Sequence, residues 1–146
     1  MIKGVRIIKI KSHIDKRGFF REILRQKDRY SRFQFKQVSH SQVKKNVIKG
    51  WHLHKRQYQW NYLIFGKINV WLFDTRKKSK NYKKSINIKI DSKKQKILYF
   101  FPPGIAHGYK ALNKINHMLY ATSGYFNKKE EHKIDINNDL IPNYFK

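Results

Sequence analysis

The stretch "GWHLHKRQYQWNYLIFG", Gly50 to Gly66, combines strand-forming residues with two closely spaced histidines. Its bulky apolar and aromatic residues between glycines have the composition of β-strands. In a strand, residues i and i+2 share a face, so His52 and His54 project the same way, about 7 Å apart along the chain. If that face lines an interior, both imidazoles enter one space. On either side of this stretch, similar runs recur: "VRIIKI" (5–10), "FFREIL" (19–24), "FQFKQVS" (33–39), "VIKGWHL" (47–53), "INVWLFD" (68–74), "INIKI" (86–90), "ILYFF" (97–101) and "HMLYATSGYF" (117–126). Gly, Asn, Asp or Lys clusters separate most of them. Helical periodicity is absent, and "DRYSRFQF" (28–35) makes one turn at most. Many short strands without intervening helices predict an all-β sandwich, jelly roll or small barrel. The basic "RKKSKNYKKS" (76–85) reads as a solvated loop between two strands.

The 146 residues fit a single domain, 1–146, with enough chain to bury a core. With 34 Lys plus Arg against 9 Asp plus Glu, the formal charge of +25 favours phosphate-bearing or other anionic partners. The lysines run the whole length from Lys3 to Lys146, and Ile and Asn are plentiful while Ala is scarce, as in an AT-rich coding sequence. A nucleic-acid partner is therefore not expected. The chain has no cysteine, so no disulfide framework or thiolate metal site is possible, which is compatible with the cytoplasm. "MIKGVRIIKIKSH" lacks the apolar core of a signal peptide, and no run of about 18 apolar residues occurs, so no membrane role is expected.

A second motif lies at "PPGIAHG", where Pro102, Gly104 and His107 are spaced Pro-x-Gly-x-x-His. Combined with His-x-His, Gln59 and Gly66, it resembles the paired motifs of the cupin superfamily. The resemblance implies a jelly-roll β-barrel or sandwich. In metal-binding cupins the two His, a Glu and the later His are ligands. Gln59 stands here in place of that Glu, and a neutral amide is a poorer ligand than a carboxylate. A metal-dependent cupin using His52, His54 and His107 is one alternative, and a non-catalytic sugar- or nucleic-acid-binding cupin another.

Longer blocks narrow the resemblance. "DKRGFFRE" (15–22), "FKQVSHS" (35–41), "VIKGWH" (47–52), "GKINVWLFDTR" (66–76), "PPGIAHGYKAL" (102–112) and "LYATSGYF" (119–126) resemble, in order, the blocks of dTDP-4-dehydrorhamnose 3,5-epimerases. That family epimerises carbons beside the keto group of a 4-keto-6-deoxy sugar linked to dTDP, with no metal or other cofactor. The chemistry needs a base to take a proton alpha to the ketone, donors to hold the enolate, and an acid on the other face. By resemblance His52 is the base and Tyr120 the proton donor. Arg17, Glu22, Gln37, Ser39, Lys49, His107, Phe126 and Glu131 fall on substrate-contact positions. Strict alternation would turn Lys49 away from His52, so the site requires a bulge, for which Gly50 is suited.

Two departures touch the machinery. Gln59 stands at the place of a family lysine, supplying a hydrogen-bond donor without charge. The family base is oriented by an Asp in a Lys-Asp segment near the C-terminus, which "NNDLIPNYFK" lacks, leaving Asp135 or Asp139 as candidate replacements. "KGWHLHK" also resembles sugar-nucleotide 3,4-ketoisomerases, in which both histidines move protons, giving His54 a catalytic role. The resemblance further implies a homodimer with its first strand exchanged, and "VRIIKI" is a candidate edge strand.

Overall fold

A computed structural model of the chain describes residues 1–28 and 34–145. Its strands are β1 (Arg6–Lys9), β2 (His13–Asp15), β3 (Gly18–Phe20), β4 (Gln37–Lys44), β5 (Ile48–His54), β6 (Gln59–Phe65), β7 (Lys67–Asp74), β8 (Ser85–Asp91), β9 (Ile97–Phe101), β10 (Ile105–Ala111), β11 (Ile115–Thr122) and β12 (Glu131–Lys133). No helix occurs among the described residues. Most of the turn expected within "DRYSRFQF" lies outside them.

Two five-stranded sheets form an antiparallel sandwich, in the orders β1-β9-β6-β11-β4 and β12-β5-β10-β7-β8. Among the described residues no ladder joins the two sheets, so the strands form a sandwich and not a closed barrel. Period-2 alternation decides what each sheet turns inward. Leu63, Tyr99, Phe101 and Met118 of the first sheet pack with Ile68, Val70, Leu72, Ile90 and Ile105 of the second in the central core. Each such side chain fully buried contributes about 1.5–3 kcal/mol.

The outward faces are apolar too and are covered by the chain's irregular segments. On the first sheet, Trp60, Tyr62, Leu98 and Phe100 pack beneath Ile8, Ile10, Ile23 and Leu24. On the second, Trp51 and Phe73 are capped by Ile141 and Phe145, while Tyr144 stacks on Trp71 with ring centroids 4.3 Å apart. Between the sheets, beside the central core, lies a cavity lined by residues of both.

Several strand expectations are corrected: "FQFKQVS" enters a strand only at Gln37, and "HMLYATSGYF" leaves it after Thr122. In "FFREIL" only Phe19 and Phe20 lie in a strand. Residues 21–24 instead drape Ile23 and Leu24 over the outer face, where packing overrides local alternation. "IAHGYKA" forms the full strand β10, which its glycine and preceding prolines conceal. The short β2 and β12 carry no strong strand pattern and exist through their partners, β3 and β5. Edge strand β1 pairs with β9. The basic loop 76–84 is anchored at its base by buried Asp74, which accepts hydrogen bonds from Arg76 Nε at 2.8 Å and Ser79 Oγ at 2.7 Å.

Candidate active site

The histidine wall begins with an irregularity in β5. His107 pairs with His52 and Tyr109 with Lys49, so Gly108 alone faces both Gly50 and Trp51. The extra residue resets alternation, and Lys49 and His52 both line the cavity between the sheets. Gly50 has φ +152°, and a Cβ there would lie 2.7 Å from Gly108 Cα, so only glycine fits the close approach.

Strand β12 supplies carboxylates to this wall. His52 Nδ1 donates to Glu131 Oε1 at 2.6 Å, which leaves the lone pair on Nε2 of a ring that lines the cavity. His54 Nδ1 donates in turn to Glu130 Oε2 at 2.8 Å. The second carboxylate is fixed by the Arg56 and Gln57 backbone N–H groups, at 2.6 and 3.1 Å from Oε1. Burial pushes the Glu130 carboxyl up, but these three hydrogen-bond donors outweigh it and hold it below the usual range. Burial lowers His52 below the ordinary histidine value, partly offset by Glu131. The ring is therefore a neutral base at physiological pH. His107 lies between its neighbours, its centroid 5.8 Å from His52 and 5.6 Å from His54, and burial drives it well below the ordinary value.

The opposite wall carries hydroxyls and amides. Tyr120 on β11 shares hydrogen bonds with Tyr109 OH at 2.7 Å and Ser41 Oγ at 3.0 Å. Burial raises the Tyr120 phenol against the pull of these two contacts, so it stays protonated. Gln59 is buried and lines the cavity, and its side chain makes no hydrogen bond among the described residues. Paired with Tyr120 on the neighbouring strand β6 is Asn61, whose Oδ1 is buried without a partner among the described residues. Such an orphaned acceptor costs about 1–3 kcal/mol when nothing binds it.

At the rim Gln37 Oε1 accepts from the Phe126 backbone N–H at 2.8 Å, and Gln37 Nε2 donates to Ser39 Oγ at 3.0 Å. The first bond ties the loop after β11 to β4, with the exposed Phe126 ring beside the opening, and the second fixes the Gln37 amide on its own strand. The cavity measures about 310 Å³, within the size range of small-molecule sites.

Over residues 1–142 the sequence matches the family model described as dTDP-4-dehydrorhamnose 3,5-epimerase. The chain belongs to that family. It is 31% identical to the spore coat polysaccharide biosynthesis protein SpsL of Bacillus subtilis, over 97% of this chain and 94% of that protein. A dTDP sugar isomerase from Desulfovibrio desulfuricans shares the fold with a TM-score of 0.90 at 20% identity, covering 99% of this chain and 92% of its own. The dTDP-6-deoxy-D-glucose-3,5-epimerase of Legionella pneumophila, solved in complex with dTDP-4-keto-L-rhamnose, superposes with a TM-score of 0.84 at 26% identity, covering 91% and 73% of the two chains.

Within this epimerase-family chain, His52, His54, Lys49, Gln37, Ser39, Gln59, His107, Tyr120, Phe126 and Glu131 all line one cavity. Arg17 and Glu22 do not. Arg17 sits exposed at the β2–β3 turn, paired with Asp15 at 2.6 Å, and Glu22 follows that hairpin beside Arg25. Glu131, expected as a substrate contact, spends one carboxylate oxygen on His52. It is Glu131, not Asp135, that bonds His52; the Asp135 carboxylate accepts from the Asn137 N–H at 2.7 Å within a turn. Sequence reasoning missed Glu130, Ser41, Tyr109 and Asn61. Glu130 had a signal, because an adjacent Glu pair is conspicuous in a chain with 9 acidic residues. His107 stacks on both His52 and His54, and among the described residues no group of three or more His, Asp or Glu is arranged to hold a metal ion.

Proposed function

We propose that this protein is an isomerase of 4-keto-6-deoxy sugars linked to dTDP, inverting a carbon beside the ketone. The observation that carries the reading is the pairing of opposed groups: neutral His52, oriented by Glu131, on one wall and protonated Tyr120 on the other. His52 Nε2 takes the proton alpha to the ketone. The C–H electron pair moves into a new C–C double bond, and the carbonyl becomes an enolate. The Gln59 amide donates to the enolate oxygen, a stabilisation that is strongest in the transition state. Tyr120 then delivers its proton to the opposite face of the carbon, and the adjacent Tyr109 and Ser41 hydroxyls stabilise the resulting phenolate. Phe126 offers its ring as a stacking face for the base, and Lys49 offers positive charge to the diphosphate. Membership of the family and the likeness to the Legionella complex support the substrate class. The likeness to SpsL supports a place in surface-polysaccharide synthesis.

A second reading, migration of the keto group to the neighbouring carbon, is favoured by the His54–Glu130 pair, which equips a second imidazole to carry protons. One experiment separates the two. The protein is incubated with dTDP-4-keto-6-deoxyglucose in deuterated water and followed by proton NMR. Deuterium at C3 or C5 with inverted configuration is expected, a migrated carbonyl favours the second reading, and no exchange at any carbon rejects both.

The active unit we propose is a homodimer working in the cytoplasm, where activated sugars are assembled. The β2–β3 hairpin pairs only with itself among the described residues, and it leaves Ile14, Phe19 and Phe20 exposed. A second copy covering that hairpin buries these side chains and brings Arg17 and Glu22 to a neighbouring cavity. Light scattering at twice the chain mass is the expected result.

A further inference from the structure

The cavity floor holds a polar group that proton transfer does not use. Asn61 is 1% exposed and lines the cavity, and its Oδ1 has no hydrogen-bond partner among the described residues. It lies in register between Tyr120 on β11 and Tyr99 on β9. Toward the rim, two residues back along β6, is Gln59; two residues on, Leu63 begins the apolar core. Asn61 thus marks the depth at which the cavity ends. The amide lies beside the Tyr99 phenol on β9, and its Oδ1 is the atom left without a partner.

Buried polar atoms in folded proteins are almost always paired, and Asn is disfavoured in strand interiors. An unpaired acceptor at the floor of a small-molecule cavity therefore points to a donor that arrives with the ligand. Adjacent strands lie about 4.8 Å apart, so this acceptor stands one strand from the Tyr120 phenol. Of the groups on a keto sugar, the ketone oxygen and a methyl cannot donate; a ring hydroxyl can.

We propose that Asn61 is a specificity-determining residue whose Oδ1 accepts a hydrogen bond from one hydroxyl of the hexose, on the side of the ring that faces Tyr120. The inference rests on the nucleotide-sugar reading of the cavity. It deepens that reading by requiring a substrate that keeps a hydroxyl beside the inverted carbon. A hexose lacking that hydroxyl leaves the acceptor unpaired and is rejected on that account.

The test measures binding, so that it does not depend on turnover. Wild-type protein, Asn61→Leu and Asn61→Ser are titrated by calorimetry with dTDP, dTDP-glucose and a series of dTDP-glucose analogues each lacking one ring hydroxyl. Both substitutions are expected to weaken dTDP-glucose at least about 10-fold while leaving dTDP unchanged. One analogue is expected to bind wild type as weakly as dTDP-glucose binds the variants, with no further loss when analogue and variant are combined. The Leu variant removes an unpaired polar atom and should melt no lower than wild type, and Ser keeps the site polar if Leu disturbs packing. Equal affinity of wild type and both variants for dTDP-glucose overturns the proposal and assigns the acceptor to an internal water. So does a wild type that binds dTDP-glucose no better than dTDP. Absence of hydrogen exchange in deuterated water, with the binding differences intact, rejects the isomerase reading and leaves the role of Asn61 standing.

Discussion

The two walls of the cavity are built on the same strand geometry but hold their reactive groups by different means. On the second sheet, His52 and His54 are oriented by carboxylates from β12, a strand of three residues near the C-terminus. On the first, Tyr120 is held by the hydroxyls of Ser41, from neighbouring strand β4, and Tyr109, reaching across from the facing sheet. A base must be aimed and kept neutral, which a carboxylate on Nδ1 and burial accomplish together. An acid must keep its proton, which burial and neutral hydroxyl partners accomplish without any charge. On the proposed reading, acid and base are set apart by environment, with the charges confined to one wall.

Removing the base at the centre of its wall should have the largest effect. His52→Ala is expected to lower kcat by about 10²–10⁴-fold, the usual worth of a general base, and to abolish deuterium incorporation measured by NMR. Disabling the acid wall should be milder and different in kind. Tyr120→Phe is expected to cost about 10²-fold in inverted product, yet hydrogen exchange at the alpha carbon should persist because His52 still removes and returns protons on its own face. A variant losing exchange and inversion equally would place Tyr120 in the first proton transfer.

Glu131→Gln tests how the base is aimed. A fall of about 10–10²-fold in kcat is expected. The acid limb of the pH profile should move to lower pH, since Glu131 raises His52 against the effect of burial. In the wild type that limb should lie below the ordinary histidine value of about 6.5, because imidazolium cannot accept a proton. Tyr120, raised above its ordinary value, should produce no alkaline loss below about pH 10. His54→Gln distinguishes the two imidazoles of the base wall: less than about 3-fold change in epimerisation is expected, and a loss as large as that of His52→Ala would transfer the second proton step to His54.

The smallest effect concerns stability. His52 and His107 both have depressed values in the folded state, so the unfolded chain binds more protons below about pH 6.5 and folding is weakened there. The urea midpoint should fall between pH 7.5 and 5.5, and His107→Gln should reduce the difference.

Much of this site is legible in the order of its amino acids. The shared face of His52 and His54 follows from strand periodicity. His107 is marked by the resemblance of its Pro-x-Gly-x-x-His to a family motif, and the bulge at Gly50 follows from periodicity once that resemblance places Lys49 beside His52. Glu130 and Glu131 escape recognition as orienting groups because they act across 76 and 79 residues of sequence, and β12 has too few residues to show a pattern. Arg17 and Glu22, expected at the site by resemblance, do not line their own chain's cavity; they lie on and just after the β2–β3 hairpin, which forms a two-stranded sheet apart from the sandwich.

Sequence alone is enough to establish that this chain is all-β, that it turns a pair of histidines to one face, and that it resembles a family of sugar-nucleotide epimerases. Those conclusions rest on local spacing and on the order of motifs. The folded arrangement was needed to learn which carboxylate aims which imidazole, that Tyr120 draws on Tyr109 and Ser41, and that Asn61 faces the cavity unpaired. Each of these depends on register between strands distant in sequence, and a register shift of one residue turns a side chain to the other face.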